Sequence, residues 1–267
     1  MSYTFGFIGC GNMGGALASA AAKSLPKGSL LLCDKSEEKL SSLCASLSAR
    51  AVSLPELIEK ADYIVLGVKP QGIRALFEEL RPLLQEKKRR FVLVSMAAGV
   101  TLAALQENAG LPCPLIRIMP NTPASVGEAM ILYTANEETT DEDIKGFLTA
   151  LSAAGRFDRI PEGMIDAGGA LSGCGPAFVY LFAEALADGA VACGLPRDKA
   201  LLYASQTLRG SAEMLLQSGR HPGELKDAVC SPGGTTIEGV KALEDGAFRA
   251  TVMSAVTAAY KKTAKLK

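Results

Sequence analysis

The feature that most restricts this chain is Gly9-Cys-Gly11-Asn-Met-Gly14, a G-x-G-x-x-G run set directly after the apolar segment 3–8 and before the helix-forming segment 13–23. The pattern carries meaning only in such a strand–turn–helix setting. There Gly9 permits a tight turn, Gly11 lets backbone approach a pyrophosphate, and Gly14 lets the helix pack on the strand. The anion then meets free N–H groups at a helix N-terminus. The expected contacts are Ile8, Gly9, Cys10, Gly11, Asn12, Met13 and Gly14. Glycines that merely turn the chain are the plainer alternative.

The rest of the N-terminal half agrees with that reading. Short β-rich runs at 3–8, 30–33, 63–68, 91–94, 115–119, 129–133 and 156–160 alternate with helical patterns. Several are continuously apolar, as strands covered on both faces are. Helix starts are marked by Ser53-Leu-Pro-Glu56 and by Thr140 ahead of Asp141, Glu142 and Asp143. Alternation of this kind predicts a mostly parallel, doubly wound sheet of the Rossmann-like type. Beyond residue 161 only helical patterns remain, at 163–170, 177–193, 197–217, 223–229, 236–244 and 248–265. Pro176, Pro196 and Pro222 stand at their starts, and Gly194 and Gly219 follow their ends. The expected organisation is an α/β dinucleotide-binding domain over 1–160 and an all-α domain over 161–267. The second is small for an independent core and its helices are rich in alanine, so it is expected to dimerise and to carry substrate-binding residues.

Composition narrows the function. The 28 basic and 28 acidic side chains cancel, and 48% of residues are apolar. No general attraction to nucleic acid or anionic membranes follows. The run Lys87-Lys88-Arg89-Arg90 reads as a solvated turn. A single histidine, His221, cannot build a multi-histidine metal site, and no metal is expected; in its H-P-G-E-L turn it reads as a structural residue. Seven cysteines without a C-x-x-C pair read as reduced thiols, and the uncharged N-terminal stretch, interrupted by glycines and without a preceding Lys or Arg, does not fit a signal peptide. The expected location is cytoplasmic.

Further segments fall at the ends of strands, where doubly wound folds bind ligands. Asp34 lies 20 residues beyond Gly14 and is placed to accept from an adenosine ribose, while Lys35 and Ser36 are placed to meet a 2′-phosphate. Gly67, Val68, Lys69 and Pro70 close a third strand, with Lys69 a candidate ribose or phosphate contact. Met96, Ala97 and Ala98 lie in Ser95-Met-Ala-Ala-Gly99 at the end of the next, whose small residues leave room for a nicotinamide against backbone. In the helical half, Ser231-Pro-Gly233-Gly234-Thr235-Thr236 opens a helix with backbone N–H groups and hydroxyls suited to a carboxylate. An ordinary capping turn is the alternative there.

Together these segments resemble the pyrroline-5-carboxylate reductases. The resemblance runs through F-I-G-C-G-N-M at 7–13, V-K-P-Q at 68–71, R-I-M-P-N-T-P at 117–123, L-S-G-C-G-P-A at 171–177, and H-P-G-E-L-K-D with S-P-G-G-T-T over 221–236. It implies a Rossmann-like domain, a helical dimerisation domain able to build rings of dimers, and reduction of 1-pyrroline-5-carboxylate to L-proline by NADPH or NADH. It further implies a carboxylate clamp at Ser231, Gly233, Gly234, Thr235 and Thr236, proton donation from Thr236, and Glu162 near the substrate amine. Asp34, and Leu54 where members often carry asparagine, depart from strict NADP binders. Two rivals remain. A 3-hydroxyacid dehydrogenase of similar layout needs a lysine where this chain has Val179. A non-catalytic nucleotide sensor would have no use for the retained Ser231, Thr235 and Thr236.

Overall fold

A computed structural model describes residues 3–263 and 265. Its eight strands are β1 (Phe5–Ile8), β2 (Leu30–Cys33), β3 (Arg50–Ala51), β4 (Tyr63–Leu66), β5 (Val92–Ser95), β6 (Leu115–Met119), β7 (Ala129–Ala135) and β8 (Gly155–Arg159), in one sheet ordered β3-β2-β1-β4-β5-β6-β7-β8. Every pairing is parallel except β6 with β7. The helices are α1 (Asn12–Ser24), α2 (Glu37–Leu47), α3 (Leu54–Lys60), α4 (Ile73–Glu86), α5 (Leu102–Ala109), α6 (Asp141–Ala150), α7 (Glu162–Ser172), α8 (Gly175–Ala192), α9 (Arg197–Ser218), α10 (Pro222–Val229), α11 (Thr235–Asp245) and α12 (Phe248–Thr263).

The central strands read as unbroken apolar runs because each buries both faces. Phe5, Phe7, Leu32, Tyr63, Val65, Val94 and Ile116 point into one apolar layer with Leu17, Ala21 and Phe147. The alternate residues Ile8, Leu31, Ile64, Leu66, Leu93 and Leu115 point into the other, with Leu57, Phe77 and Leu80. The two-residue period of a strand feeds both layers at once. The two-residue exposed strand β3 has no such signal, and the sequence does not reveal it.

Helix starts follow the local chemistry. Ser53 Oγ accepts from Glu56 N–H, and Thr140 and Asp143 form a reciprocal capping box. The basic run before β5 lies at the surface, as expected of a solvated turn, and three of its side chains also find partners. Lys87 Nζ donates to the Glu59 carbonyl at 2.9 Å, Arg89 pairs with Asp62 at 2.9 Å, and Arg90 pairs with Asp143 at 2.5 Å. These contacts fasten the α4–β5 corner to its neighbours.

The chain divides into two compact units, Met1–Cys174 with Ala259–Lys267, and Gly175–Ala258. The division falls one helix later than the change of sequence character at 161. The reason is that α7 packs on the sheet: a Cβ at Gly168 would lie 2.3 Å from Leu132 Cδ1, and one at Gly169 would lie 2.9 Å from Met119 Cε. The stretch Glu162–Ala192 is long and apolar enough to cross a membrane by length and composition, but its first helix is committed to this packing. The second unit buries Ala187, Ala200 and Ala204. Tyr180, Leu181, Leu202, Met214, Leu216 and Met253 are 59–70% exposed.

Candidate active site

The sheet order brings the ends of β2, β1, β4 and β5 side by side, and with them the segments expected to hold a dinucleotide. Gly9 stands at φ +91°, a left-handed conformation that glycine adopts without strain. A Cβ on Gly14 would lie 2.1 Å from the Gly9 carbonyl oxygen, and one on Gly67 would lie 2.3 Å from the same atom. Gly9, Gly14 and Gly67 are thus required by packing alone, since α1, β1 and β4 meet backbone to backbone. Gly11 is different. It is extended at φ −65° and ψ −172°, exposed, and a Cβ there would meet nothing within 4 Å. No protein atom requires its missing side chain. It is the N-cap of α1, and no side chain caps that helix, so the first N–H groups are left for an anion. Asn12 beside it is exposed and Met13 half-buried. These features fit a pyrophosphate.

Asp34 sits at the end of β2, but both of its carboxylate oxygens are engaged by backbone. Oδ2 accepts from Cys10 N–H at 2.5 Å and Oδ1 from Ser36 N–H at 2.8 Å. Asp34 therefore ties the Gly-rich turn to the β2–α2 turn, and its remaining lone pairs are what a ribose could use. Ser36 caps α2, accepting from Lys39 N–H at 3.5 Å, while exposed Lys35 approaches Glu79 at 3.9 Å. Cys10 is buried in the turn, and its thiol pKa is pushed up to about 12 by burial and then by the nearby Asp34 charge. It is a packing residue and not a thiolate.

Lys69 is exposed and immediately precedes the short turn Pro70–Gly72 without a side-chain cap, with Val68 half-buried beside it. Ser95 Oγ accepts from Ala97 N–H at 3.3 Å, and Met96 N–H donates to the Leu66 carbonyl at 3.5 Å. The β5–α5 connection thus leaves the sheet next to the Gly67 turn, with Ala97 buried and Met96 and Ala98 half-buried.

In the second unit, Gly233 takes a left-handed φ of +67°, and Gly234 is the N-cap of α11, with no side-chain cap. A Cβ on Gly234 would lie 2.3 Å from Ser231 Oγ, so the hydroxyl occupies the space this glycine leaves. Thr235 and Thr236 are the first two residues of α11, where their N–H groups lack helical acceptors. Such an end suits a carboxylate. His221 caps α10, its Nδ1 accepting from Gly223 N–H at 3.1 Å.

Glu162 opens α7 in the first unit, and its Oε1 accepts from Leu102 N–H at 2.7 Å and from Arg117 Nη1 at 3.1 Å. Arg117 and its second partner Asp166 escaped the sequence reading. The signal was present: a guanidinium inside the apolar run Leu115-Ile-Arg-Ile-Met must be paired, and Glu162 and Asp166 stand one helical turn apart.

A model described as pyrroline-5-carboxylate reductase dimerisation matches residues 162–266, and one described as NADP oxidoreductase, coenzyme F420-dependent, matches residues 4–99. A pyrroline-5-carboxylate reductase of Pisum sativum is 43% identical over 267 residues, covering 99% of this chain and 96% of the relative. The chain belongs to the pyrroline-5-carboxylate reductase family. The reductase of Escherichia coli is 42% identical over 270 residues, covering 100% of this chain and 99% of its own. The Plasmodium falciparum reductase, solved with NADP bound, superposes with a TM-score of 0.88 at 34% identity, covering 99% of this chain and 98% of that one. A 3-hydroxyisobutyrate dehydrogenase of Mycobacterium tuberculosis shares only the fold with this family member, at TM-score 0.53 and 13% identity over 88% of this chain and 72% of that one.

Proposed function

We propose that this chain reduces 1-pyrroline-5-carboxylate to L-proline with NADPH or NADH. The observation that carries the reading is the pair of uncapped helix starts, α1 at Gly11 and α11 at Gly234, in a chain of this family. Each presents backbone N–H groups to an anion, the first to a pyrophosphate and the second to the substrate carboxylate. In this reading residues 1–160 serve the dinucleotide and 161–267 the substrate.

A bound nicotinamide supplies the hydride that reduces the C=N carbon, and the ring nitrogen takes a proton. The residues that hold the cofactor are Ile8 to Gly14, Asp34, Lys35, Ser36, Gly67 to Pro70 and Met96 to Ala98. The α11 N-terminus fixes the carboxylate through the backbone of Gly233, Gly234 and Thr235, with Ser231 packed over Gly234. Thr236 donates a hydrogen bond to the ring nitrogen, and Glu162, with one oxygen already engaged, offers its other near the amine. Orientation adds to this, because a hydride donor and acceptor held at reacting distance react as if within one molecule.

The exposed apolar side chains of α8, α9 and α12 support self-association: a surface of this kind in a domain with so small a core needs a cover. We assign that cover to a second copy, and larger rings to the association of dimers, because Glu162 and Asp166, bonded to Arg117 in the first unit, commit the start of the apolar stretch to the protein and not to a lipid phase. The cytoplasm is the location that fits, with neither nucleic acid nor membrane as a partner. Sedimentation is expected to find dimers or larger species at micromolar concentration, and a monomer would contradict the assignment. Thr236→Ala tests the chemistry: kcat is expected to fall, by up to about 10²–10⁴-fold, with cofactor binding retained. An unchanged kcat would remove Thr236 from proton donation.

A further inference from the structure

The sites above leave the most deeply buried charged side chain among the described residues, Arg117, unused. Arg117 lies in the middle of β6 and is 2% exposed. Its Nη2 donates to Asp166 Oδ1 at 2.8 Å and its Nη1 to Glu162 Oε1 at 3.1 Å. A buried pair of this kind gives little net stability over an apolar replacement. Its geometry, however, is specific: a planar fork held by two carboxylates cannot rotate.

What the fork holds matters. Glu162 Oε1 also accepts from Leu102 N–H at 2.7 Å, and Leu102 is the first residue of α5. The connection between β5 and α5 is the segment that carries Met96, Ala97 and Ala98. It leaves the sheet at Ser95, the register partner of Arg117 on the neighbouring strand. Ser95 Oγ holds its beginning through Ala97 N–H, and Glu162 holds its far end through Leu102 N–H. The carboxylate that does so is set in place by Arg117. A second residue of the same motif acts in parallel: Asn121 Nδ2 donates to the Ser172 carbonyl at 2.9 Å, so β6 and the turn after it hold α7 at both ends.

We propose that Arg117 is a positioning residue for hydride transfer: acting through Glu162, it fixes the far end of the β5–α5 connection and thereby the surface on which the nicotinamide rests. The inference rests on the reading of Met96 to Ala98 as that surface. The Gly-rich turn holds the other half of the cofactor and is untouched by Arg117. Loss of the fork therefore displaces the ring without releasing the dinucleotide, and a displacement of about 1 Å costs on the order of 10²-fold in rate.

The test compares Arg117→Met, Arg117→Lys, Arg90→Met and Ala98→Leu in the full-length protein. Three quantities are read: the dissociation constants of NADPH and NADH by fluorescence, the single-turnover rate of cofactor oxidation at saturating 1-pyrroline-5-carboxylate, so that weaker substrate binding through Glu162 does not enter the rate, and the thermal midpoint. Arg117→Met is expected to slow the single turnover by about 10- to 100-fold while dissociation constants rise less than about threefold. Arg117→Lys is expected to recover part of the rate, since an ammonium can serve only one carboxylate at a time with the right geometry. Arg90→Met breaks a different arginine–carboxylate pair of the same sheet, Arg90 with Asp143, in which the arginine is half exposed; it lies near the start of β5, away from the connection that leaves its other end. It is expected to melt earlier with a rate within about twofold of the parent.

An Arg117→Met protein that folds and turns over within about twofold of the parent would overturn the proposal, as would an equal slowing in Arg90→Met. If Arg117→Met does not fold, Arg117→Lys decides: a slowed turnover with near-parental cofactor binding supports the proposal, and a parental rate refutes it. Ala98→Leu addresses the surface itself. If it alters neither cofactor binding nor rate, the nicotinamide rests elsewhere, whatever the Arg117 variants do.

Discussion

Gly11→Ala separates a glycine kept for a ligand from glycines kept for the fold. Three of the four glycines at this turn are accounted for by protein contacts: a Cβ at Gly9, Gly14 or Gly67 would lie 2.8, 2.1 or 2.3 Å from a backbone oxygen. Overpacking of that kind costs about 1–3 kcal/mol. At about 2–4 °C per kcal/mol for a chain of this size, Gly14→Ala is expected to lower the melting temperature by several degrees. Gly11 has open space where its side chain would be, and its φ of −65° is accessible to alanine. Losing glycine as N-cap costs up to about 1 kcal/mol, and restricting the unfolded chain returns about 0.4–1 kcal/mol, so Gly11→Ala is expected to melt within about 2 °C of the parent. Yet its methyl group would stand where a pyrophosphate oxygen meets the turn. Loss of one charge-assisted hydrogen bond, about 1.5–3 kcal/mol, corresponds to a dissociation constant raised about 10- to 150-fold. Fluorescence titration with NADPH and NADH, beside thermal melts of Gly11→Ala and Gly14→Ala, gives both numbers. Parental cofactor affinity in Gly11→Ala, or a melting loss equal to that of Gly14→Ala, would refute the reasoning.

Other predictions follow from the charged and sulfur groups. Asp34→Asn is expected to weaken NADH and NADPH to a similar degree, because it places an amide against Cys10 N–H; a loss confined to NADH in binding titrations would assign Asp34 to the ribose instead. For Asp143, burial pushes the pKa up, but the hydrogen bonds from Arg90 and Thr140 outweigh it and hold the carboxyl below its ordinary value. A depressed folded-state pKa gives stability that is complete above the unfolded value, near 4, and is lost as pH falls through the folded one. Urea midpoints between pH 7 and 3 should therefore fall less steeply in Asp143→Asn than in the parent, and parallel curves would contradict the pairing. At pH 8 the buried Cys10 is expected to react with iodoacetamide far more slowly than exposed Cys193, as peptide mapping would show; earlier labelling of Cys10 would mean the turn opens.

Much of this arrangement was legible in the chain. The unbroken apolar runs and the Gly-x-Gly turn mark the strands and the nucleotide edge because a two-faced parallel strand and a backbone-to-backbone crossing leave strong local signals. Leu30–Cys33 and Leu115–Met119 match their expected bounds. Less legible were features defined by partners remote in sequence. The spacing of Asp34 points to a ribose, but its structural part, tying two turns together through backbone N–H groups, one of them 24 positions away, leaves no local signal. The basic run before β5 reads as solvated, and its partners Glu59, Asp62 and Asp143 are visible only once the sheet is assembled. The division between units could not be placed from composition, because α7 looks like its helical neighbours, and what ties it to the sheet, Gly168 and Gly169 against Leu132 and Met119 and the two carboxylates on Arg117, depends on partners remote in sequence.

The most direct test of the central claim is the stoichiometry of the reaction itself. Purified protein with 1-pyrroline-5-carboxylate and NADPH, and separately with NADH, is followed by cofactor absorbance and by chromatographic measurement of L-proline. One L-proline formed for each nicotinamide oxidised, with at least one of the two cofactors, is the expected result. Folded protein that binds the dinucleotide but forms no L-proline with either would contradict the account and favour a nucleotide sensor.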